Sequence, residues 1–267
     1  MSERLDVRLV GTGLARSRGE ARELIDGGAV LIDGRPALKA AQHVSPDARV
    51  EIAPGSRPRW VGRAAGKLDA AFAAFGPDGL RAAGRRCLDV GASTGGFTQV
   101  LLERGAAHVV ALDVGHGQLV PELADDPRVT ELSGTNIREV PPDRLVADGR
   151  FDVVVADVSF ISLHLVIPHL VPLLAPEGDA VLLVKPQFEV GRGGLDKHGV
   201  VRSARAREDA LQAVLAQGVA GGWRVRAVID SPVPGHRGNR EYLGWFTAMP
   251  AADPDEDRGT TGDGGDE

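Results

Sequence analysis

At 267 residues the chain is longer than one average domain and shorter than two large ones, which favours one α/β domain with a smaller companion. Hydrophobic residues at 43% and charged residues at 25% are ordinary globular values and exclude disorder over most of the length. The formal net charge of −6, taken as a sum, speaks against a nucleic-acid partner. A single cysteine excludes an internal disulfide and suits a reducing cytoplasm. The opening MSERLDVRLV has no apolar core of signal-peptide type. The most apolar long stretch, Leu163–Pro176, is 14 residues broken by His164, Pro168, His169 and Pro172. That falls short of the about 20 needed to cross a bilayer, so no membrane association is expected.

In chain order, residues 1–53 predict a small α+β module. Arg4–Val10 is a short amphipathic segment ended by Gly11 and Gly13. Ser17 is placed to cap a second helix, in which Ala21, Leu24 and Ile25 form the apolar stripe and Gly27 and Gly28 stop it. The opposite face carries Arg18 and Arg22 at i, i+4 spacing, with Arg16 beside them. Val30–Ile32, the turn pair Asp33-Gly34 and the run after it predict a hairpin, and Ala48–Ala53 a further strand. Residues 54–66, rich in Pro and Gly, predict a linker, with Trp60 packing on one of the domains.

From Lys67 to residue 250 helices alternate with β-rich runs. The predicted strands are Arg86–Val90, His108–Val114, Val129–Leu132, Asp152–Asp157, Ala180–Lys185, Arg224–Ile229 and Tyr242–Ala248. Phe97–Arg104 and Ala204–Gln217 are examples of the helices between them. This is the pattern of βαβ units and a mostly parallel, Rossmann-like sheet, with the last two strands an antiparallel pair at one edge. Residues 251–267 predict a disordered tail holding 7 Asp+Glu and 1 Arg, which is −6 and the whole of the net charge. Residues 1–63, by contrast, hold 11 Lys+Arg against 8 Asp+Glu, a net of +3. The acidic sum therefore does not exclude RNA.

The first strand runs through Asp89, Val90, Gly91, Ala92, Ser93, Thr94, Gly95, Gly96 and Phe97 into a helix. Glycines there allow a sharp turn and close approach of a ligand to the main chain. A dinucleotide would want a glycine at position 93, and the fingerprint fails. The leading Asp89 suits S-adenosylmethionine, which has no phosphate and an amino group to hold. Asp113 at the second strand end, followed by Val114, is placed for ribose hydroxyls, and Asn136 after the third strand for an adenine edge. No metal site is assigned. Cys87 lies inside the first strand, which disfavours ring methylation through a cysteine nucleophile. Asp157-Val158-Ser159-Phe160 stands where an enzyme of exocyclic amines would show Asp/Asn-Pro-Pro-aromatic.

What remains are Asp157 and Lys185 at the fourth and fifth strand ends, Lys67 opening the first helix and Glu241 opening the last strand. Arginine outnumbers lysine 27 to 4, so two lysines at one predicted mouth call for a specific reason. The runs CLDVGASTGGFTQVLLERGAAHVVALDVGHGQL, VVADVSFISL, LVKPQFEVG and GNREYLGWF resemble the hemolysin-A-like (TlyA) family of ribosomal RNA cytidine 2′-O-methyltransferases, relatives of the FtsJ/RrmJ type. LARSRGEARELIDGGAVLIDG resembles the S4-type RNA-binding module of that family.

The resemblance implies a catalytic set of Lys67, Asp157, Lys185 and Glu241, with Asp157 also beside the cofactor. RNA recognition through phosphate contacts then points to Arg4, Arg16, Arg18, Arg22 and Lys39 of the basic module, and a monomer acting in the cytoplasm on ribosomal RNA within ribosomes or their subunits is expected. Lack of a further C-terminal helix favours the large subunit alone. The alternatives are an inactive RNA-binding assembly factor and, as the hemolysin name suggests, a membrane-lytic protein.

Overall fold

The computed structural model describes residues 2–16, 18–56 and 59–250, without the side chain of Glu23. The capping role of Ser17 and the disordered tail fall outside these residues. Contacts divide the chain into two units, residues 1–62 and 63–267. The helix Ala65–Phe75 begins inside the expected linker, so its last two residues are helical.

The first unit contains β1 (Glu3–Arg4), α1 (Leu5–Gly11), α2 (Arg18–Asp26), β2 (Val30–Ile32), β3 (Arg35–Pro36), β4 (His43–Val44) and β5 (Val50–Ile52). The expected last strand is thus two residues shorter at its start and one at its end. β3, β2 and β5 form an antiparallel sheet, and β1 pairs with β4. Asp33 and Gly34 both take positive φ at the hairpin turn, the conformation an Asp-Gly pair tolerates. Leu5, Leu9, Ala21, Leu24, Ile25 and Val30 close the core, which turns the other face of α2, with Arg18 and Arg22, outward.

The second unit contains α3 (Ala65–Phe75), β6 (Arg86–Val90), α4 (Gly96–Glu103), β7 (His108–Leu112), α5 (Pro121–Ala124), β8 (Val129–Leu132), α6 (Pro142–Leu145), β9 (Phe151–Ala156), α7 (Leu163–Leu170), β10 (Leu174–Val184), α8 (Pro186–Glu189), α9 (Ala204–Ala220), β11 (Trp223–Asp230) and β12 (Tyr242–Ala248). Seven strands form one sheet in the order β11-β12-β10-β9-β6-β7-β8. β6 to β10 run parallel, and β12 is antiparallel to both β10 and β11. Cys87–Val90, Val153–Ala156 and Ala180–Val184 are buried throughout, as strands covered on both faces must be. β10 starts six residues earlier than the sequence predicts, because its first stretch, Leu174–Asp179, joins the ladder through an irregularity across Pro176 and Gly178.

The chain lays β7 and β8 on one side of β6 and then crosses to β9 and β10 on the other. The neighbours β6 and β9 therefore mark a topological switch point, with a crevice beyond their carboxyl ends. Asp89, Gly91, Asp113, Asp157, Lys185 and Glu241 lie at or next to the strand ends that face that crevice.

Candidate active site

The loop leaving β6 is shaped by what it touches. Gly91 has φ +84°, and a Cβ there would lie 2.5 Å from the Asp157 carbonyl oxygen. Asp157 N–H in turn donates to the Val90 carbonyl at 3.0 Å. The two strand ends are thus locked together at a distance only glycine permits. Gly95, with φ +99°, ends the loop and starts α4, where a Cβ would collide with Leu119 and Leu123. Asp113, just past β7, accepts from Ser93 N–H at 2.9 Å and Gly115 N–H at 2.7 Å, so it braces the loop. Ser93 Oγ donates to Gln118 Oε1 at 3.1 Å. Ala92, Ser93, Asp113, Gly115 and Gln118 line a shallow pocket at this edge of the crevice.

Asp89 is fully buried in the central strand. Its Oδ2 accepts from Thr98 Oγ1 at 2.7 Å, and its Oδ1 is buried without a partner among the described residues. Burial first, and then the Asp157 and Asp113 charges, push its carboxyl up to about 7. A buried carboxylate with one unanswered oxygen, beside a loop stripped of side chains, fits a ligand that brings an ammonium group and a flat nucleoside.

Four further groups meet at the adjacent strand ends. Val184 of β10 pairs with Tyr242 of β12, and Leu182 with Ala156 of β9. This register sets Lys185 beside both Glu241 and Asp157. Lys185 Nζ lies 2.6 Å from Asp157 Oδ1 as an ion pair and directs a hydrogen bond to Ser159 Oγ at 2.7 Å. Lys67 Nζ donates to Glu241 Oε2 at 2.6 Å, and both side chains are buried. Lys67 sits in the first turn of α3, which packs on α4 so closely that a Cβ on Gly96 would come 3.1 Å from Ala65 N. Gln187 Nε2 donates to the other Glu241 oxygen at 3.1 Å.

The structure thus brings Lys67, Asp157, Lys185 and Glu241 to one place, with Asp89, Gly91–Gly96 and Asp113 beside them. It treats three expected cofactor contacts differently. Phe97 faces the core at 2% exposure, since α4 needs an apolar residue against the sheet. Val114 lies beyond the end of β7, two residues short of its predicted length, and is exposed. Asn136 holds its own turn, giving a bond to Glu139 Oε1 at 2.6 Å and accepting one from Arg138 N–H at 3.1 Å.

Sequence reasoning did not single out Thr98, Gln118, Ser159, Gln187 or Glu189. Glu189 accepts from Ser162 Oγ and from Leu163 N–H at 2.9 Å, tying the loop after β9 to α8. Just before these anchors Phe160 takes φ +63°, is 92% exposed and lies tilted against Phe188 with ring centres 5.3 Å apart. The available signal was polar residues within a few positions of a strand end. Cys87 is sealed in β6, and burial pushes its thiol up to about 12, so it is no nucleophile.

In the first unit, Arg4, Arg18 and Arg22 converge on Asp6, while Arg16 pairs with Glu20 at 2.6 Å. Lys39 is exposed in the loop between β3 and β4.

A doubly wound sheet with a glycine loop at its switch point and an acid at each of the first two strand ends defines the class: an S-adenosylmethionine-dependent methyltransferase. A methyltransferase of that class from Listeria monocytogenes shares the fold, with TM-score 0.51 at 16% identity over 70% of this chain and all of that one. More particularly, the chain belongs to the FtsJ-like methyltransferase family, which it matches over residues 60–248, and residues 3–50 match the S4 domain. The 16S/23S rRNA (cytidine-2′-O)-methyltransferase TlyA of Mycobacterium tuberculosis is 51% identical over 243 residues, covering 91% of this chain and 89% of that one. A Streptococcus thermophilus protein named a hemolysin has a solved structure with TM-score 0.73 and 36% identity, covering 93% and 89%. Among the described residues no helix is long and apolar enough to cross a membrane.

Proposed function

We propose that the protein transfers a methyl group from S-adenosylmethionine to the 2′-hydroxyl of a cytidine in ribosomal RNA. One observation carries the reading: two close lysine–carboxylate pairs, Lys185–Asp157 and Lys67–Glu241, stand at neighbouring strand ends of one sheet, whose central strand holds Asp89 with one oxygen unanswered and within reach of the Asp157 charge. Asp89 would hold the cofactor amino group, and Gly91, Ala92, Ser93, Thr94, Gly95 and Asp113 its nucleoside. The bound cofactor supplies an electrophilic methyl on a sulfonium. A ribose hydroxyl is a poor nucleophile until its proton is removed or polarised. Lys185, acting from its neutral amine form, would take that proton at Nζ as the oxygen displaces the methyl from sulfur, while Asp157 and Ser159 fix Nζ in place. Lys67 and Glu241 orient the ribose and its neighbouring phosphate, and Gln187 fixes Glu241. Much of the acceleration comes from placing hydroxyl and methyl in line.

The first unit supplies phosphate contacts that position the RNA without reading its sequence. The M. tuberculosis relative carries both ribosomal RNAs in its name, which supports both subunits as substrates here rather than the large one alone. The reading keeps a single chain as the acting species, in the cytoplasm where ribosomes are. The test is radiolabelled methyl transfer to purified subunits, followed by mapping of 2′-O-methyl positions in both RNAs. Label on a ribose oxygen of cytidine is expected; no label on either subunit would favour an inactive assembly factor.

A further inference from the structure

Asp6 is the only buried acidic side chain among the described residues of the first unit, and what covers it is cationic. Arg4 forks onto it, with Nε 2.9 Å from Oδ1 and Nη2 3.0 Å from Oδ2. Arg18 reaches Oδ2 through Nε at 3.2 Å and Nη2 at 2.9 Å. Arg22 Nη2 stands 3.9 Å from the same oxygen. The bonds from Arg4, and after them those from Arg18, hold the carboxyl well below the usual carboxylate range, so it stays ionised.

A structural ion pair needs one arginine. Here three share one carboxylate, so these four groups together sum to two positive charges. The arginine side chains remain 39%, 54% and 57% exposed, and neither Arg4 nor Arg18 spends Nη1 on Asp6. They come from two elements far apart in sequence, β1 and α2. Asp6 N–H also donates to the Ala40 carbonyl at 3.0 Å, which fixes the loop carrying Lys39 beside them. Arg16 pairs instead with Glu20.

We propose that Asp6 is a positioning residue that holds Arg4, Arg18 and Arg22 together as one grip for phosphates of the RNA backbone. It rests on the reading of this unit as an RNA-binding module. Three guanidiniums without a central anion repel one another and splay; held on Asp6 they have already lost the rotamer freedom that gripping a phosphate would otherwise take from them.

Asp6→Asn separates positioning from charge, because the two predict opposite signs. Removing a negative charge raises the net charge by one, and on charge alone RNA should bind more tightly and with steeper salt dependence. Positioning predicts weaker binding, by about tenfold, with the slope of log Kd against log salt shallower by about one phosphate contact. The measurement is fluorescence anisotropy of the full chain with a short fluorescein-labelled RNA hairpin across a KCl series, with circular dichroism melts alongside. Binding equal to or tighter than wild type overturns the proposal. If the substitution unfolds the unit, Arg18→Lys takes its place: it keeps the charge but loses the fork, and several-fold weaker binding is expected, with wild-type affinity again overturning the proposal. The double change Arg18→Ala, Arg22→Ala tells the two failures apart. Unchanged affinity there means this face of the unit does not meet the RNA, whereas weakened binding there with unchanged Asp6→Asn binding removes only the role of Asp6.

Discussion

Lys185 and Asp89 carry the sharpest consequences of single groups. An amine at 185 has a neutral form that takes a proton and a guanidinium does not, so Lys185→Arg should lower methyl transfer by about 100-fold or more, with the fold intact by circular dichroism. Retained turnover in single-turnover assays would remove the proton-acceptor role. Asp89, raised to about 7, is protonated in the folded chain and ionised in the unfolded chain between about pH 4 and pH 7. The folded state binds the extra proton, so this group makes stability fall as pH rises through that window. Thermal melts should show a decline of order a few kcal/mol that Asp89→Asn flattens. His108, held below its ordinary range chiefly by burial, acts with the opposite sign just below its ordinary value of about 6.5, so the difference between the two chains is the quantity to read. A bound ammonium favours the ionised carboxyl. Calorimetry with S-adenosylhomocysteine should therefore show affinity rising with pH up to about 7, and a flat profile would detach Asp89 from the amino group.

Loops and helix starts hold these residues in register. Gly91→Ala combines a left-handed φ with overlap against the Asp157 carbonyl. It should cost about 1–3 kcal/mol in a denaturant melt and abolish cofactor binding, because β6 and β9 must part to admit the methyl. Glu189→Ala removes the acceptor for Leu163 N–H and Ser162 Oγ at the start of α7. A loss of about 1–2 kcal/mol is expected, with reduced kcat since the same loop carries Ser159 and Phe160. Intact turnover would mean that the loop holds its shape without the clamp. The elements themselves were readable: β6, β8 and β12 match their predicted ends because each is a short β-rich run bounded by loop-forming or polar residues. β10 was misjudged at its start, where Pro176 and Gly178 look like a loop yet ride on β9 through an irregular ladder.

For the whole chain, charge distribution matters more than its sum. Removing residues 251–267 takes the formal charge from −6 to 0, since that segment contributes 7 acidic groups and 1 basic. RNA association by the shortened chain should be faster by a few-fold at low salt and equal at high salt, checked by stopped-flow anisotropy. Sequence by itself determined the alternation of strands and helices, the glycine loop, the excess of acid at one end and the four candidate groups, because periodicity, turn chemistry and rarity of lysine are local properties. Tertiary structure decided what no spacing along a chain can state. β12 inserts antiparallel beside β10, and only that register sets Glu241 next to Lys185 and Lys67 against Glu241, residues 174 positions apart. It also removed Phe97 to the core and kept Asn136 for its own turn, because a helix packed on a sheet and a turn closing on itself each claim side chains that look available in the sequence. Arg4 joined Arg18 and Arg22 because α1 buries Asp6 beneath all three.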